Sequence, residues 1–210
     1  MISAMTRKKE FLITLLFSVS IILLPAIAIT SDSASVISQS TRSEVEIWSL
    51  LQQGTGYVVL IRHALAPGTG DPSNFQLDDC STQRNLSDTG RAQAIRMGEA
   101  FKSRQIPITR VLSSQWCRCL ETARLMDVAS VEPLPALNST FYDPAAETER
   151  TEQIGQLIVD RHDTAGTTVM VTHASNISAI AGTSVRSGGM VVLRADESEE
   201  ISFIGQIAAF

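Results

Sequence analysis

Two stretches of this chain read almost alike, and together they constrain its fold more than any other feature. VVLIRHA at 58–64 and TVMVTHA at 168–174 both run from a continuous apolar, β-branched segment directly into a histidine followed by alanine. A run apolar at every position, rather than at alternate ones, suits a strand buried on both faces, as in the parallel sheets of α/β proteins. In such sheets the functional groups collect outside the carboxyl ends of the strands. His63 and His173 are therefore expected to project from one sheet edge, and they are two of only three histidines in 210 residues.

The remaining pattern agrees with that architecture. Ser43 stands three before Glu46 as in a capping box, and Gly54 closes the short helix that follows. Ser87 or Asp88 opens a second helix carrying Ala94, Met97 and Phe101. Arg110 to Leu112 reads as a short strand, Gln115 to Met126 as a helix and Val131 to Leu134 as a strand. Ala145 to His162 reads as a helix, Thr167 to Val171 as a buried strand and Ser175 to Ala181 as a short helix, with terminal strands at Met190 to Leu193 and Ile201 to Ile204. Alternation of this kind predicts a single-domain α/β three-layer sandwich, with a mostly parallel central sheet and helices on both faces.

The first 28 residues belong to a different category. Arg7, Lys8 and Lys9 precede an almost unbroken apolar run from Phe11 to Leu24, and Pro25, Ala26 and Ala28 supply a break and an A-x-A pattern. The run is shorter than the roughly 20 residues a spanning helix needs, so it reads as an export signal cleaved after Ala28, with no stable membrane span left afterwards. Residues 29–42, rich in Ser and Thr, read as a flexible lead, and 43–210 as the folded domain. Cleavage removes three positive charges and one negative and takes the formal net charge from -5 to -7. An acidic domain of this kind lacks the basic surface of a nucleic-acid binder. The expected location is periplasmic or secreted.

Cys80, Cys117 and Cys119 allow at most one internal disulfide. Cys117 and Cys119 are two apart in a predicted helix and point to different faces, which leaves Cys80 with either of them, or three buried thiols. No C-x-x-C suggests a redox or zinc site.

Arg118 follows a strand end and two serines, in the first turn of a predicted helix, where unpaired N–H groups and the dipole favour an anion. With Arg62 beside His63, two guanidinium groups and two imidazoles gather at one edge of an acidic protein. Guanidinium groups match phosphate oxygens bidentately, so this edge reads as a phosphate pocket. Glu121, one helical turn from Arg118, is expected to orient it. Arg84 and Arg91 are expected either at the pocket rim or on the surface.

LIRHA at 60–64, RNLSDTGRAQA at 84–94, VLSSQWCRCLETA at 111–123 and VTHASN at 171–176 together resemble the histidine phosphatase superfamily, which includes cofactor-dependent phosphoglycerate mutases. The family's R-H-G stands here as Arg62, His63 and Ala64, a change that requires a negative φ at Ala64. The resemblance implies that His63 is a nucleophile forming a phosphohistidine and that Arg62, Arg118 and His173 hold the phosphoryl oxygens, with no metal or other cofactor. It also implies a carboxylic acid that protonates the leaving group, for which Asp143 or Glu147 lies in the matching stretch. Asp143 before Pro144 also reads as a helix N-cap.

The expected function is a metal-independent phosphomonoester hydrolase acting on a small phosphorylated substrate, with an envelope sugar phosphate as one class. The loop from Ala66 to Gln83 forms part of the entrance. A phosphomutase, or a non-catalytic phosphate-binding or envelope-interaction protein retaining the pocket, are the alternatives. Sequence alone does not set the oligomeric state.

Overall fold

The structure, a computed structural model, describes residues 42–141 and 143–210. The expected export signal, and all of the expected lead but its last residue, lie outside the described residues.

Among the described residues six strands form one sheet: β1 (Tyr57–Arg62), β2 (Ile108–Ser113), β3 (Val131–Pro133), β4 (Thr167–Thr172), β5 (Met190–Ala195) and β6 (Ile201–Ile207), arranged in the order β3, β2, β4, β1, β5, β6. The first four are parallel to one another, whereas β5 joins β1 and β6 joins β5 antiparallel. The two histidine-bearing strands are direct neighbours, with Tyr57 opposite Thr167 and Arg62 opposite Thr172.

Among the described residues five α-helices cover the sheet: α1 (Glu44–Gln53), α2 (Asp88–Ser103), α3 (Cys117–Met126), α4 (Glu147–Val159) and α5 (Ala174–Ala181). Side-chain alternation along β1 divides the core between two faces. Val59 and Ile61 pack with Ile47 and Leu51 of α1, Met97 and Phe101 of α2, and Ala123 and Met126 of α3. Val58 and Leu60 pack instead with Ile154 and Ile158 of α4 and Ile177 of α5. A strand apolar at every position is what a sheet covered on both sides demands.

Local signals account for most boundaries. The capping box forms: Ser43 Oγ accepts from Glu46 N–H, the Glu46 carboxylate accepts from Ser43 N–H, and Gly54 ends α1 in the left-handed region. Ser87 caps α2 through Gly90 N–H. Two helices start later than their periodicity suggests. α3 begins at Cys117 rather than Gln115 because Gln115 N–H bonds the Asn138 side chain, and α4 begins at Glu147 because a 3-10 turn, Pro144–Ala146, precedes it. Among the described residues, no helix is long and apolar enough to cross a membrane.

α2 and α3 lie close because of one glycine. A Cβ on Gly98 would come within 1.9 Å of the Met126 carbonyl oxygen, so only glycine allows this approach.

Candidate functional site

Because Arg62 and Thr172 are paired across adjacent parallel strands, the residues after them emerge side by side. His63 and His173 are both buried, with ring centroids 5.5 Å apart and ring planes at 66°. A cavity of about 190 Å³ opens on them, lined also by Arg62, Arg84, Arg118, Ser139, Gly68, Gly70 and the exposed Phe141.

The turn after β1 is fixed by neighbours on every side. His63 N–H donates to Thr172 O at 3.0 Å, Ala64 N–H to Thr122 Oγ1 at 3.0 Å, and Leu65 N–H to Gln93 Oε1 at 2.9 Å. α2 crowds the same turn, since a Cβ on Gly90 would lie 2.1 Å from Leu65 O. Ala64 does not take a positive φ, so the backbone there accepts an alanine without strain.

Within this frame His63 Nδ1 lies 2.8 Å from Ala64 O. A carbonyl only accepts, so Nδ1 carries the proton and Nε2 of the neutral ring carries the lone pair. Burial first, and then the positive charges of Arg118, Arg84 and Arg62, push the His63 pKa down to about 3 against the opposing pull of the Ala64 carbonyl. The imidazole is a neutral base over the whole physiological range.

His173 is held by Ser114, whose Oγ is 2.9 Å from Nε2 and also donates to Asn138 Oδ1 at 3.2 Å. Burial, then the neighbouring His63 and the arginines, depress its pKa well below the ordinary value. Asn138 is tied in turn to Gln115, and its carbonyl accepts from Asn176 Nδ2. Cys119 Sγ sits 3.4 Å from the same His173 nitrogen, and burial raises its thiol pKa to about 12, so it packs as a protonated thiol.

Three guanidinium groups face the cavity. Arg62 Nη1 donates to Val185 O at 3.0 Å, and burial followed by the nearby Arg118 lowers its pKa. Arg84 Nε donates to Gly70 O at 2.7 Å and its Nη1 to Ala66 O. Arg118 Nη1 pairs with Asp71 Oδ1 at 2.8 Å. The Nε atoms of Arg62 and Arg118 are buried without a partner among the described residues. A buried N–H left unpaired is costly, and an oxyanion between these groups would satisfy both. Among the described residues no group of three or more His, Cys, Asp or Glu could hold a metal ion.

Other expected residues fall elsewhere. Glu121 does not orient Arg118: it pairs with Arg91 at 2.7 Å, and Arg91 also reaches Asp88, placing all three at the surface. Asp143 precedes the 3-10 turn without a capping hydrogen bond, and its carboxylate pairs with Arg150 at 3.1 Å. It lines a second cavity, of about 400 Å³, which has Ser139 in common with the first. Glu147 is exposed at the start of α4 and lines neither. Of the open cysteine pairings, the structure has Cys80 bonded to Cys117, with Cys119 free and buried. Asp71 and Asn138 were not singled out by the sequence, since they sit in loops where no periodicity or motif marks them, and Ser114 lies in the 111–123 motif with no role assigned to it.

Residues 58–156 match the family model of the histidine phosphatase superfamily, branch 1. No curated protein matches the chain by sequence. Solved structures with the same fold include the protein histidine phosphatase SixA complexed with tungstate (18% identity, TM-score 0.55, 72% of this chain and 96% of that one). A mycobacterial glucosyl-3-phosphoglycerate phosphatase with VO3 aligns at 15% identity and TM-score 0.54, over 73% of this chain and 99% of that one. A phosphoserine phosphatase from Entamoeba histolytica with 3-phosphoglyceric acid aligns at 13% and 0.54, over 73% and 97%.

Proposed function

The chain belongs to the histidine phosphatase superfamily, and from that premise we propose that it is a metal-independent phosphomonoester hydrolase working through a phosphohistidine at His63. The observation that carries this reading is the neutral, Nδ1-protonated His63 facing a cavity lined by three arginines, two of them with unpartnered buried Nε–H groups.

The His63 Nε2 lone pair attacks phosphorus while the bond from phosphorus to the ester oxygen breaks. The leaving oxygen takes a proton and departs as the alcohol. Water then attacks the phosphohistidine while the carboxylate that protonated the leaving group takes a proton from it, the phosphorus–nitrogen bond breaks, and phosphate leaves with His63 neutral and the acid restored. Arg62, Arg84 and Arg118 hold the equatorial oxygens through both steps, with the His173 ring packed beside His63, and these fixed donors lower both barriers. Asp143 is the proposed proton donor, because it lines the cavity that shares Ser139 with the phosphoryl pocket, whereas the alternative, Glu147, lines neither cavity.

The proposed address is outside the cytoplasm. The apolar leader with its A-x-A pattern supports it, and so does the Cys80–Cys117 disulfide, a bond that persists in oxidising compartments. The proposed substrate is a small phosphomonoester available there, with envelope sugar phosphates the first class to assay.

The test is phosphate release by the mature chain in the presence of chelator, with His63→Ala as control, together with trapping of the phosphoenzyme. The adduct is expected to be acid-labile and alkali-stable, as a phosphoramidate is. An alkali-labile adduct, or undiminished turnover in His63→Ala, overturns the assignment. Asp143→Asn should slow hydrolysis of alkyl phosphates far more than of an activated aryl phosphate, whose leaving group needs little protonation. Binding of phosphate without turnover of either ester would favour the non-catalytic alternative.

A further inference from the structure

The loop between the nucleophile and α2 does more than frame the entrance. The Asp71 side chain is buried within it, 2% exposed, and the Arg118 side chain it meets is 3% exposed. One carboxylate oxygen accepts from Arg118 Nη1 at 2.8 Å and from Arg84 N–H at 2.9 Å, and the other accepts from Trp116 Nε1 at 3.1 Å. Trp116 itself packs edge-on against the His173 ring, with centroids 5.4 Å apart. The single carboxylate thus touches one phosphoryl-binding arginine, the backbone of a second, and the aromatic ring that backs the second histidine.

We propose that Asp71 is the positioning residue of the phosphoryl pocket, fixing the Arg118 guanidinium and the Trp116 ring in the arrangement the transferring phosphoryl group requires. The inference rests on the phosphotransfer reading above. Arg118 has several rotatable bonds and lies at the start of a helix, and α3 has no side-chain cap from its own N-cap residue, Trp116. Neither the helix nor the sheet dictates where its guanidinium points. Asp71 does, because a fork held at one Nη by a carboxylate retains its Nε edge in a fixed direction.

The carboxylate remains ionised. Burial would raise its pKa, but the hydrogen bonds from Arg84 N–H, Arg118 and Trp116 outweigh burial and hold it below the usual range. It therefore cannot serve as the proton donor, and its negative charge works against a bound phosphate. A group that opposes ground-state binding yet occupies this place suits a role in geometry. Removing it should separate binding from turnover.

Asp71→Asn leaves the side chain isosteric but neutral, with one acceptor oxygen where the carboxylate has two, so either Trp116 Nε1–H or Arg118 Nη1–H loses its partner. The expected result in the mature protein is a fall in kcat of about 10- to 100-fold and weaker inhibition by vanadate, which mimics the five-coordinate transition state. Inhibition by inorganic phosphate should stay unchanged or tighten, because a repulsive charge has gone. Equal weakening of vanadate and phosphate, with a falling unfolding midpoint, would mean a merely structural role and overturn the proposal, as would a variant indistinguishable from wild type.

Should Asp71→Asn fail to fold, Arg118→Ala provides the second test. Added guanidinium is expected to dock on the Asp71 carboxylate in the vacated space and to restore part of the turnover and vanadate affinity. Absence of any rescue in a folded Arg118→Ala protein counts against Asp71 as the anchor. The two readings fail differently: an inactive wild type removes the phosphotransfer reading, whereas an active wild type with an unaffected Asp71 variant removes only this one.

Discussion

His63 Nδ1 and the carbonyl oxygen of Ala64 are 2.8 Å apart, so the nucleophilic ring is locked into one tautomer by the backbone of the very next residue. That contact, burial and three arginines keep the ring neutral. Nitrogen NMR of His63 is therefore expected to report the neutral Nδ1–H form throughout the range from neutral pH down to about pH 5, and a titration centred near the free-histidine value of about 6.5 would contradict it.

The same depressed pKa makes stability depend on pH. In the unfolded chain a histidine takes a proton as the pH drops below about 6.5, whereas native His63 resists until about 3. Stability is therefore complete above the unfolded pKa and falls as the pH drops through the window between the two values. His63 should remove about 1.4 kcal/mol per pH unit within that window, or roughly 2 kcal/mol by about pH 5. Denaturant titrations at a series of pH values should show a shallower decline for His63→Ala than for wild type, and superimposable slopes would refute the linkage.

The Cys80–Cys117 disulfide closes a loop between residues 37 apart and anchors the end of the 66–83 loop to the first residue of α3. Loop-closure entropy assigns it about 4 kcal/mol of stability. Cys80→Ser is expected to lower the unfolding free energy by an amount of that order. Turnover should fall too, because Gln83 Oε1 accepts from Cys117 N–H and Asp71 holds Arg118 from the same loop. A reduced protein with wild-type kinetics would show that the loop holds its place without the staple.

Gly98 gives a test of packing away from the site. Adding a Cβ there forces α2 and α3 apart, since the Met126 carbonyl would lie 1.9 Å away and backbone cannot yield cheaply. Gly98→Ala should destabilise by about 1–3 kcal/mol or more. α3 also carries Thr122 and Arg118, so a loss of activity should accompany the drop in unfolding midpoint.

The parts legible from sequence were those written in local pattern. The buried runs ending in His63 and His173, the Ser43–Glu46 box and the Ser87 cap are short-range signals, and the structure forms each of them. Boundaries drifted where a distant side chain intervened, as when Asn138 claims Gln115 N–H and delays α3. The expected partner of Arg118 was wrong for a related reason. Glu121 is near it along the helix, but Arg91 of α2 takes that carboxylate, and Asp71, 47 residues away in sequence, takes the arginine.

By itself the sequence determined which residues end the two buried strands, because backbone pairing and burial impose a period that can be read one strand at a time. Only the tertiary structure decided that β1 and β4 are neighbours in a register that sets Arg62 opposite Thr172, which brings His63 and His173 within 5.5 Å. It likewise decided that Asp71 is the carboxylate buried against Arg118. A loop has no period to read, and its side chains find their partners only once the elements on either side have packed.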